Sequence, residues 1–336
     1  MRVVYTDPAW ALAADGRPDP ALAAAEREVF GPGIQLDLGL FDGRYVTSGD
    51  DFHGYVRGAD ALVIYRCQVT AELIDVLRPT CKVVARAGVG LDNLNAAALA
   101  GAGLYGYHVP DYCGDEVSTH TLALLLALER GICVQDRLVK SDKWAIHGGG
   151  VPRRTADRVA GIVGFGRIGR ATARKLHAFY DRVLAYDPFV SADLMASHGV
   201  RRVEDLKDLF AEVDAVVLHT ELTPDTDGLI DAAVLANAKP GCLLVNTARG
   251  RLVDPAAVEH ALEGGRLGGF ASDVFSPEDP NTADAGRRLL DRDDVVVSAH
   301  RAFLSQESER SARLRIAHVV RDVLVAGVPP AAGRVA

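Results

Sequence analysis

Three side chains of the kinds that hold acids and move protons stand just after apolar runs in the second half of this chain. Arg249 follows Leu243–Val245 within Asn246-Thr247-Ala248-Arg249-Gly250. Glu278 follows Gly269–Ser272 by way of Asp273-Val274-Phe275-Ser276-Pro277. His300 follows Val295–Ser298. If each run is a strand, three successive strand ends present a guanidinium, a carboxylate and an imidazole toward one place. A guanidinium is a planar fork for a carboxylate. An imidazole exchanges protons near neutral pH, and a carboxylate beside it can tune it. Each residue also has an ordinary structural use: a surface charge, a solvated turn before Asp279-Pro280, a capping group. Their convergence is what argues for chemistry.

A second constellation says what that chemistry works with. Val163-Gly164-Phe165-Gly166-Arg167-Ile168-Gly169 sits between an apolar run, Val159–Val163, and a helical pattern over Arg170–Ala178. Gly164 permits a tight strand-to-helix turn, Gly166 lets the backbone approach a pyrophosphate, and Gly169 lets helix and strand pack closely. The N–H groups that open the helix, at Arg167 and Ile168, then face phosphate charge. The next strand, Val183–Tyr186, delivers Asp187 where a ribose diol would lie. A carboxylate there favours NAD over NADP, whose 2′-phosphate it would repel.

These residues need a sheet to position them. The first hundred residues alternate apolar strands (Arg2–Tyr5, Ala61–Tyr65, Lys82–Ala85, Leu104–Tyr107) with helical stretches (Ala21–Phe30, Thr70–Leu77, Asn95–Ala102). That rhythm implies a parallel sheet covered on both faces. A Leu- and Ala-rich helix over Asp115–Arg130 and a glycine-rich loop over His147–Gly150 come before the dinucleotide unit. Further strands are expected at Ala215–Leu218, Leu243–Asn246, Gly269–Ser272 and Val295–Ser298. The last helix, Gln306–Ala326, is expected to return to the first domain, and Pro329–Ala336 to be a frayed tail. The fold class is therefore α/β: two doubly wound parallel-sheet domains, with a Rossmann NAD domain (110–302) inserted into a flavodoxin-like substrate domain (1–109 and 303–336) and a cleft between them.

At 336 residues the chain has room for both domains. A net charge of −8 gives no electrostatic reason to expect nucleic acid or an anionic membrane as partner. The apolar run Leu122–Leu128 is far short of a membrane span, and the N-terminus reads as a strand and not as a signal peptide. The five cysteines show no CxxC spacing and read as reduced thiols of a cytoplasmic protein, with no metal role.

The chain resembles the D-isomer-specific 2-hydroxyacid dehydrogenase family over essentially its whole length. The matching segments are Arg86–Asn93, Val109–Tyr112, Gly161–Gly169, Lys239–Gly250, Asp273–Glu278 and Ser298–His300, five of which lie outside the glycine loop. Within the family, Val109–Val117 and Ala302–Ser308 are most similar to the branch of C-terminal-binding proteins and their bacterial relatives. The resemblance implies that Arg249 holds a substrate carboxylate, that His300 is the acid/base, and that Glu278 orients and charges it. It implies that the N–H groups of Val89 and Gly90 bind the other end of the carboxylate. Asp273 would accept a bond from the nicotinamide carboxamide, and Thr220, Thr247 and Ala248 would line the cofactor. His219 is expected to be structural. The substrate would be a small 2-keto or D-2-hydroxy acid, and the protein a homodimer, with the Leu122–Leu128 helix and the loop around Trp144–Gly150 as candidate contacts.

Departures from the family pattern are Ala299, where a proline is usual, Arg301 beside His300, and Glu221 after Thr220. Arg301 would either cap the last helix or meet a second acidic group on the substrate. Tyr112, Phe303 and Trp144 could wall an apolar pocket, and Arg66 could reach a distal anion. A regulated phosphoglycerate dehydrogenase would be expected to carry a further C-terminal domain. Two other functions stand beside the dehydrogenase. One is an NAD(H)-sensing, partner-binding protein with weak or no turnover, like the corepressor relatives. The other is a formate or phosphite enzyme, against which Glu278 and Val89 both argue, because similar enzymes carry glutamine and lysine there.

Overall fold

In Val159–Val163 every residue is buried, which a strand achieves only when both faces of its sheet are covered. The side chains alternate accordingly. Val159 and Val163 enter one core with Val216, Leu218 and Leu244, while Ala160 and Ile162 enter another with Ala215, Val217 and Val245. The computed structural model describes residues 1–327 and 329–336, and this two-faced burial organises both of its compact units, 1–112 with 305–336 and 113–304.

The first unit holds β1 (Arg2–Tyr5), β2 (Gln35–Asp37), β5 (Ala61–Ile64), β6 (Val83–Arg86) and β7 (Tyr105–Tyr107). They form a parallel sheet in the order β2-β1-β5-β6-β7, the flavodoxin-like arrangement. β3 (Leu40–Phe41) and β4 (Tyr45–Val46) make a separate antiparallel ribbon. Val3, Tyr5, Ala61 and Val63 face a core that also receives Ile316, Ala317 and Val320 from the helix Gln306–Arg321. That helix is tied down by Arg313, which grips the buried Glu26 with two nitrogens and stacks 3.5 Å over the Trp10 ring.

The second unit holds β8 (Val159–Val163), β9 (Arg182–Tyr186), β10 (Arg201–Arg202), β11 (Ala215–Leu218), β12 (Cys242–Asn246), β13 (Leu267–Ser272) and β14 (Val295–Val297). All pair in parallel in the order β10-β9-β8-β11-β12-β13-β14. This is the Rossmann order with one strand added, and it reverses direction between β8 and β11. The helix Gly114–Arg130 covers one face, with Leu124 and Leu125 buried in the core beside Ile162 and Val245.

The joins read from the sequence, 109/110 and 302/303, lie two or three residues from where the units part. Other expectations need correction. The dinucleotide helix runs Arg167–Leu176, beginning three residues before the expected start at Arg170, so that Arg167, Ile168 and Gly169 of the glycine motif form its first turn. The last α-helix ends at Arg321 and passes into a π-turn over Asp322–Ala326. The tail is not frayed: Val335 N–H donates to Gly106 O, Gly106 N–H to Ala336 O and Tyr107 Oη to Pro330 O, so the end of the chain lies along β7. No single helix among the described residues is long and apolar enough to cross a membrane.

Candidate active site

At the switch point of the second sheet, the glycines have separable duties. Gly164 sits at φ +91, and a Cβ there would lie 2.6 Å from His219 O, so both conformation and space demand glycine. A Cβ on Gly169 would lie 2.2 Å from Gly164 O, the close approach of helix to strand. At Gly166 a Cβ would project into open space. The helix Arg167–Leu176 begins there with no side-chain cap and no acidic residue in its first turn. Its first N–H groups and the positive end of its dipole are thus left to an anion. Asp187 accepts N–H bonds from Phe165 at 2.7 Å and Phe189 at 2.9 Å, binding the glycine turn to the end of β9. These residues fit the pyrophosphate and ribose of a dinucleotide.

The neighbouring strand ends are braced from within. Thr220 Oγ1 donates to Val163 O at 3.1 Å. The His219 ring is bonded to Thr172 Oγ1 at 2.8 Å, and burial pushes its pKa down to about 3. It is a neutral structural imidazole. Thr247 Oγ1 meets Thr121 Oγ1 at 2.7 Å, and Thr121 gives its own proton to Val117 O, so Thr247 is the donor of the pair. Ala248 N–H donates to the Asn246 side chain, whose amide reaches back to Arg249 O at 2.9 Å. This staple, made by Asn246, whose part in the site has no signal in the sequence, shapes the loop that carries Arg249. The Arg249 guanidinium donates to Ala248 O at 2.7 Å. Gly250 allows that loop to press on the next one, since a Cβ would fall 2.1 Å from Phe275 C.

His300 occupies the left-handed region at φ +49, unusual for a residue with a Cβ. Its Nδ1 is hydrogen-bonded to Glu278 Oε1, and Phe303 meets the ring edge-on with centroids 6.5 Å apart. With Nδ1 engaged, Nε2 is the nitrogen that can exchange a proton with a substrate. Asp273, expected to reach a carboxamide, is 1% exposed and turned into its own chain. It accepts from Ser298 Oγ at 2.5 Å, Arg301 N–H at 3.0 Å and Ala302 N–H at 2.8 Å. Ser298 in turn meets His120 Nε2 at 2.8 Å, a pairing with no local signal in the sequence.

In the first unit, Val89 and Gly90 occupy the loop after β6, and Val89 O is bonded to His108 Nδ1 at 2.8 Å. Asp7 accepts the N–H groups of Tyr65 and Arg66, fixing the backbone that carries Arg66. Two expectations fail. Arg301 does not cap the last helix, because Ser305 and Ser308 form a capping box there and Arg301 supplies only a backbone carbonyl to Leu304. Trp144 walls no pocket within its unit, being 91% exposed. Cys67, Cys81 and Cys242 are buried thiols with pKa values pushed up to about 12 by burial. A cavity of about 320 Å³ lies behind the Arg249 loop, lined by Asn246, Gly250, Arg251, Val274, Phe275 and Pro277 among others. Neither Arg249, Glu278 nor His300 lines it, so it is not where those three groups act.

A parallel sheet in Rossmann order, with a glycine turn and an uncapped helix at its switch point, is the architecture of a dinucleotide-binding protein. Residues 122–302, more than half of the chain, match the family model for the NAD binding domain of D-isomer specific 2-hydroxyacid dehydrogenases. The chain belongs to that family, and its second unit is the family's NAD-binding domain. Its sequence is 35% identical over 301 residues to the D-3-phosphoglycerate dehydrogenase of Mycobacterium tuberculosis, an alignment covering 89% of this chain and 55% of that protein. The chain thus spans about half the length of the curated relatives it matches. Among solved structures, it superposes on the apo D-lactate dehydrogenase of Escherichia coli with a TM-score of 0.81, at 26% identity and 100% coverage of both chains. It superposes on the TT0316 protein of Thermus thermophilus with a TM-score of 0.82, at 27% identity and equal coverage. These matches do not specify a branch within the family.

Proposed function

We propose that this protein is an NAD-dependent oxidoreductase that interconverts a 2-keto acid and the corresponding D-2-hydroxy acid, working as a homodimer. The observation that carries this reading is the His300–Glu278 pair, which stands on the same sheet edge as Arg249 and the dinucleotide turn. The bound nicotinamide supplies or receives the hydride at its C4. The chain's own residues do the rest. Gly164, Gly166, Arg167, Ile168 and Gly169 hold the pyrophosphate, and Asp187 faces the ribose. Thr220, Thr247 and Ala248 would line the cofactor, and Asp273 would lie toward its nicotinamide end. The Arg249 fork holds the substrate carboxylate together with its neighbouring oxygen, and in the first unit the N–H groups of Val89 and Gly90 are the candidate donors to a carboxylate. In reduction, His300 Nε2 gives its proton to the keto oxygen as that oxygen gains negative charge; in oxidation Nε2 takes the hydroxyl proton back. Glu278 accepts the Nδ1 hydrogen throughout, so the ring keeps one orientation in both directions and its positive charge has a partner.

The test is NADH oxidation against a panel of 2-keto acids: pyruvate, glyoxylate, hydroxypyruvate, phenylpyruvate, branched keto acids and oxaloacetate. Turnover that falls by about a hundredfold or more in His300→Ala is expected. Absence of turnover over the whole panel with NADH still bound tightly would replace this reading with an NAD(H) sensor.

A further inference from the structure

A residue with a Cβ does not rest at φ +49 unless its surroundings hold it there, and His300 rests there with its ring bonded to Glu278. The holding is done by Asp273. Its carbonyl accepts the His300 N–H at 2.7 Å, and its carboxylate accepts the next two N–H groups, of Arg301 and Ala302. Three consecutive backbone donors therefore close on one residue. The carboxylate is 1% exposed, so every donor it lacks would leave negative charge buried without compensation. Its third donor is the hydroxyl of Ser298, at 2.5 Å.

A hydroxyl has one proton to give. Ser298 gives it to Asp273 only if its other neighbour is a donor, and that neighbour is His120 Nε2, at 2.8 Å. A hydrogen on Nε2 leaves the hydroxyl no choice but the carboxylate, whereas a bare Nε2 would compete for it. His120 Nε2 also lies 3.6 Å from Asp273 Oδ1, and its ring is 25% exposed, linking the buried carboxylate to solvent. It reaches this place from the helix Gly114–Arg130.

We propose that His120 is a positioning residue for His300, acting through Ser298 and Asp273 to hold the turn that aims the acid/base ring. The inference rests on the reading of His300 as that acid/base. The chain His120 Nε2–H to Ser298 Oγ–H to Asp273 carboxylate is made of residues other than Arg249 and Glu278, so its loss should leave binding intact and misplace the proton.

The experiment uses three variants of the full chain. His120→Phe keeps a ring but removes the donor, His120→Gln restores an N–H at similar reach, and Ser298→Ala breaks the chain at its middle. For each, kcat and KM with the best keto acid, the NADH Kd by fluorescence, and the imidazole nitrogen and proton NMR signals of His300 are measured, the last assigned by their loss in His300→Gln. In His120→Phe and Ser298→Ala, kcat is expected to fall about tenfold or more, with KM and NADH Kd within about threefold of wild type. The His300 signals are expected to broaden or shift in both, and His120→Gln to recover most of kcat and the wild-type signals. An unchanged kcat in His120→Phe or Ser298→Ala overturns the proposal. So does a His120→Gln as slow as His120→Phe, or a loss confined to KM or Kd. If His120→Phe does not fold, Ser298→Ala decides alone. If the wild type turns over no keto acid, the functional reading fails separately, and the NMR signals still decide: His300 resonances indifferent to His120→Phe overturn the positioning role.

Discussion

The His300 imidazole has two restraints of different kinds, and they make separable contributions. The Glu278 carboxylate fixes the rotation of the ring through Nδ1 and places a negative charge beside the proton-carrying form, while Phe303 limits its tilt by an edge-on contact. Glu278→Gln retains an acceptor for the Nδ1 hydrogen and removes only the charge; Glu278→Ala removes both. If orientation and charge each matter, kcat/KM falls in two steps, by about tenfold in Glu278→Gln and by a further tenfold or so in Glu278→Ala. At one pH, with NADH and NAD affinities unchanged, the loss must be the same factor for reduction and oxidation, because the enzyme does not alter the overall equilibrium. Steady-state kinetics in both directions checks this, and a Glu278→Gln enzyme as active as wild type would leave Glu278 only an orienting part.

At the scale of elements, the glycine turn between β8 and its helix is held closed from outside by the end of β11, where His219 O stands against Gly164 and the His219 ring reaches Thr172. Thr172 gives its proton to Ile168 O, so His219 donates from Nε2 as a neutral ring. Burial lowers its pKa from the ordinary 6.5 to about 3, so on acidification the unfolded chain binds this proton first. The stabilisation is fully present above pH 6.5 and is lost as pH falls toward 3, by at most about 1.4 kcal/mol per pH unit. Urea unfolding at pH 7 and pH 4.5 should show wild type losing on the order of 2 kcal/mol more than His219→Gln, the comparison removing the carboxylates common to both. Equal losses would mean the ring is not held neutral. The same turn shows what a sequence discloses. Gly164, Gly166 and Gly169 are legible because their spacing is local, and β8, β11 and β12 because both of their faces are apolar. β2 and β10, of three and two residues, have too few side chains to show a period. The docking of Val335 on Gly106 and the meeting of His120 with Ser298, 178 residues away, are tertiary events with no local signal. Asp273 stood out as a strand-end carboxylate, but its enclosure by Ser298, Arg301 and Ala302 depends on a turn whose shape appears only with the fold.

For the whole molecule, the segment after the long helix is one that the folded chain leaves uncovered. The helix Ile132–Lys140 buries none of its residues, and beyond it Trp144, Ile146 and Val151 are 91%, 85% and 75% exposed. The Leu122–Leu128 stretch, an equal candidate for a subunit contact on sequence, instead buries Leu124 and Leu125 in the core of its own unit. The exposed segment is nonetheless ordered by itself: Gln135 Nε2 donates to Ala145 O and Gly148 O, Leu138 packs on Gly148, and Val134 packs on Gly149. A stapled arm with a large aromatic and two branched side chains facing outward is what a protein–protein contact requires, because apolar patches of this kind are normally covered. A two-fold axis would bury each arm against its mate, so one tryptophan contributes twice. Sedimentation should therefore give twice the 35.8 kDa chain mass at micromolar concentration. Trp144 reports the same event optically, since the only other tryptophan, Trp10, is hydrogen-bonded to Tyr65 and stacked under Arg313. On dilution the emission should shift to the red as Trp144 meets water, and Trp144→Asp with Ile146→Asp should give a monomer whose remaining emission does not move. A wild-type chain that sediments as a monomer, with red emission independent of concentration, would remove the dimer and leave the arm without a partner of its own kind.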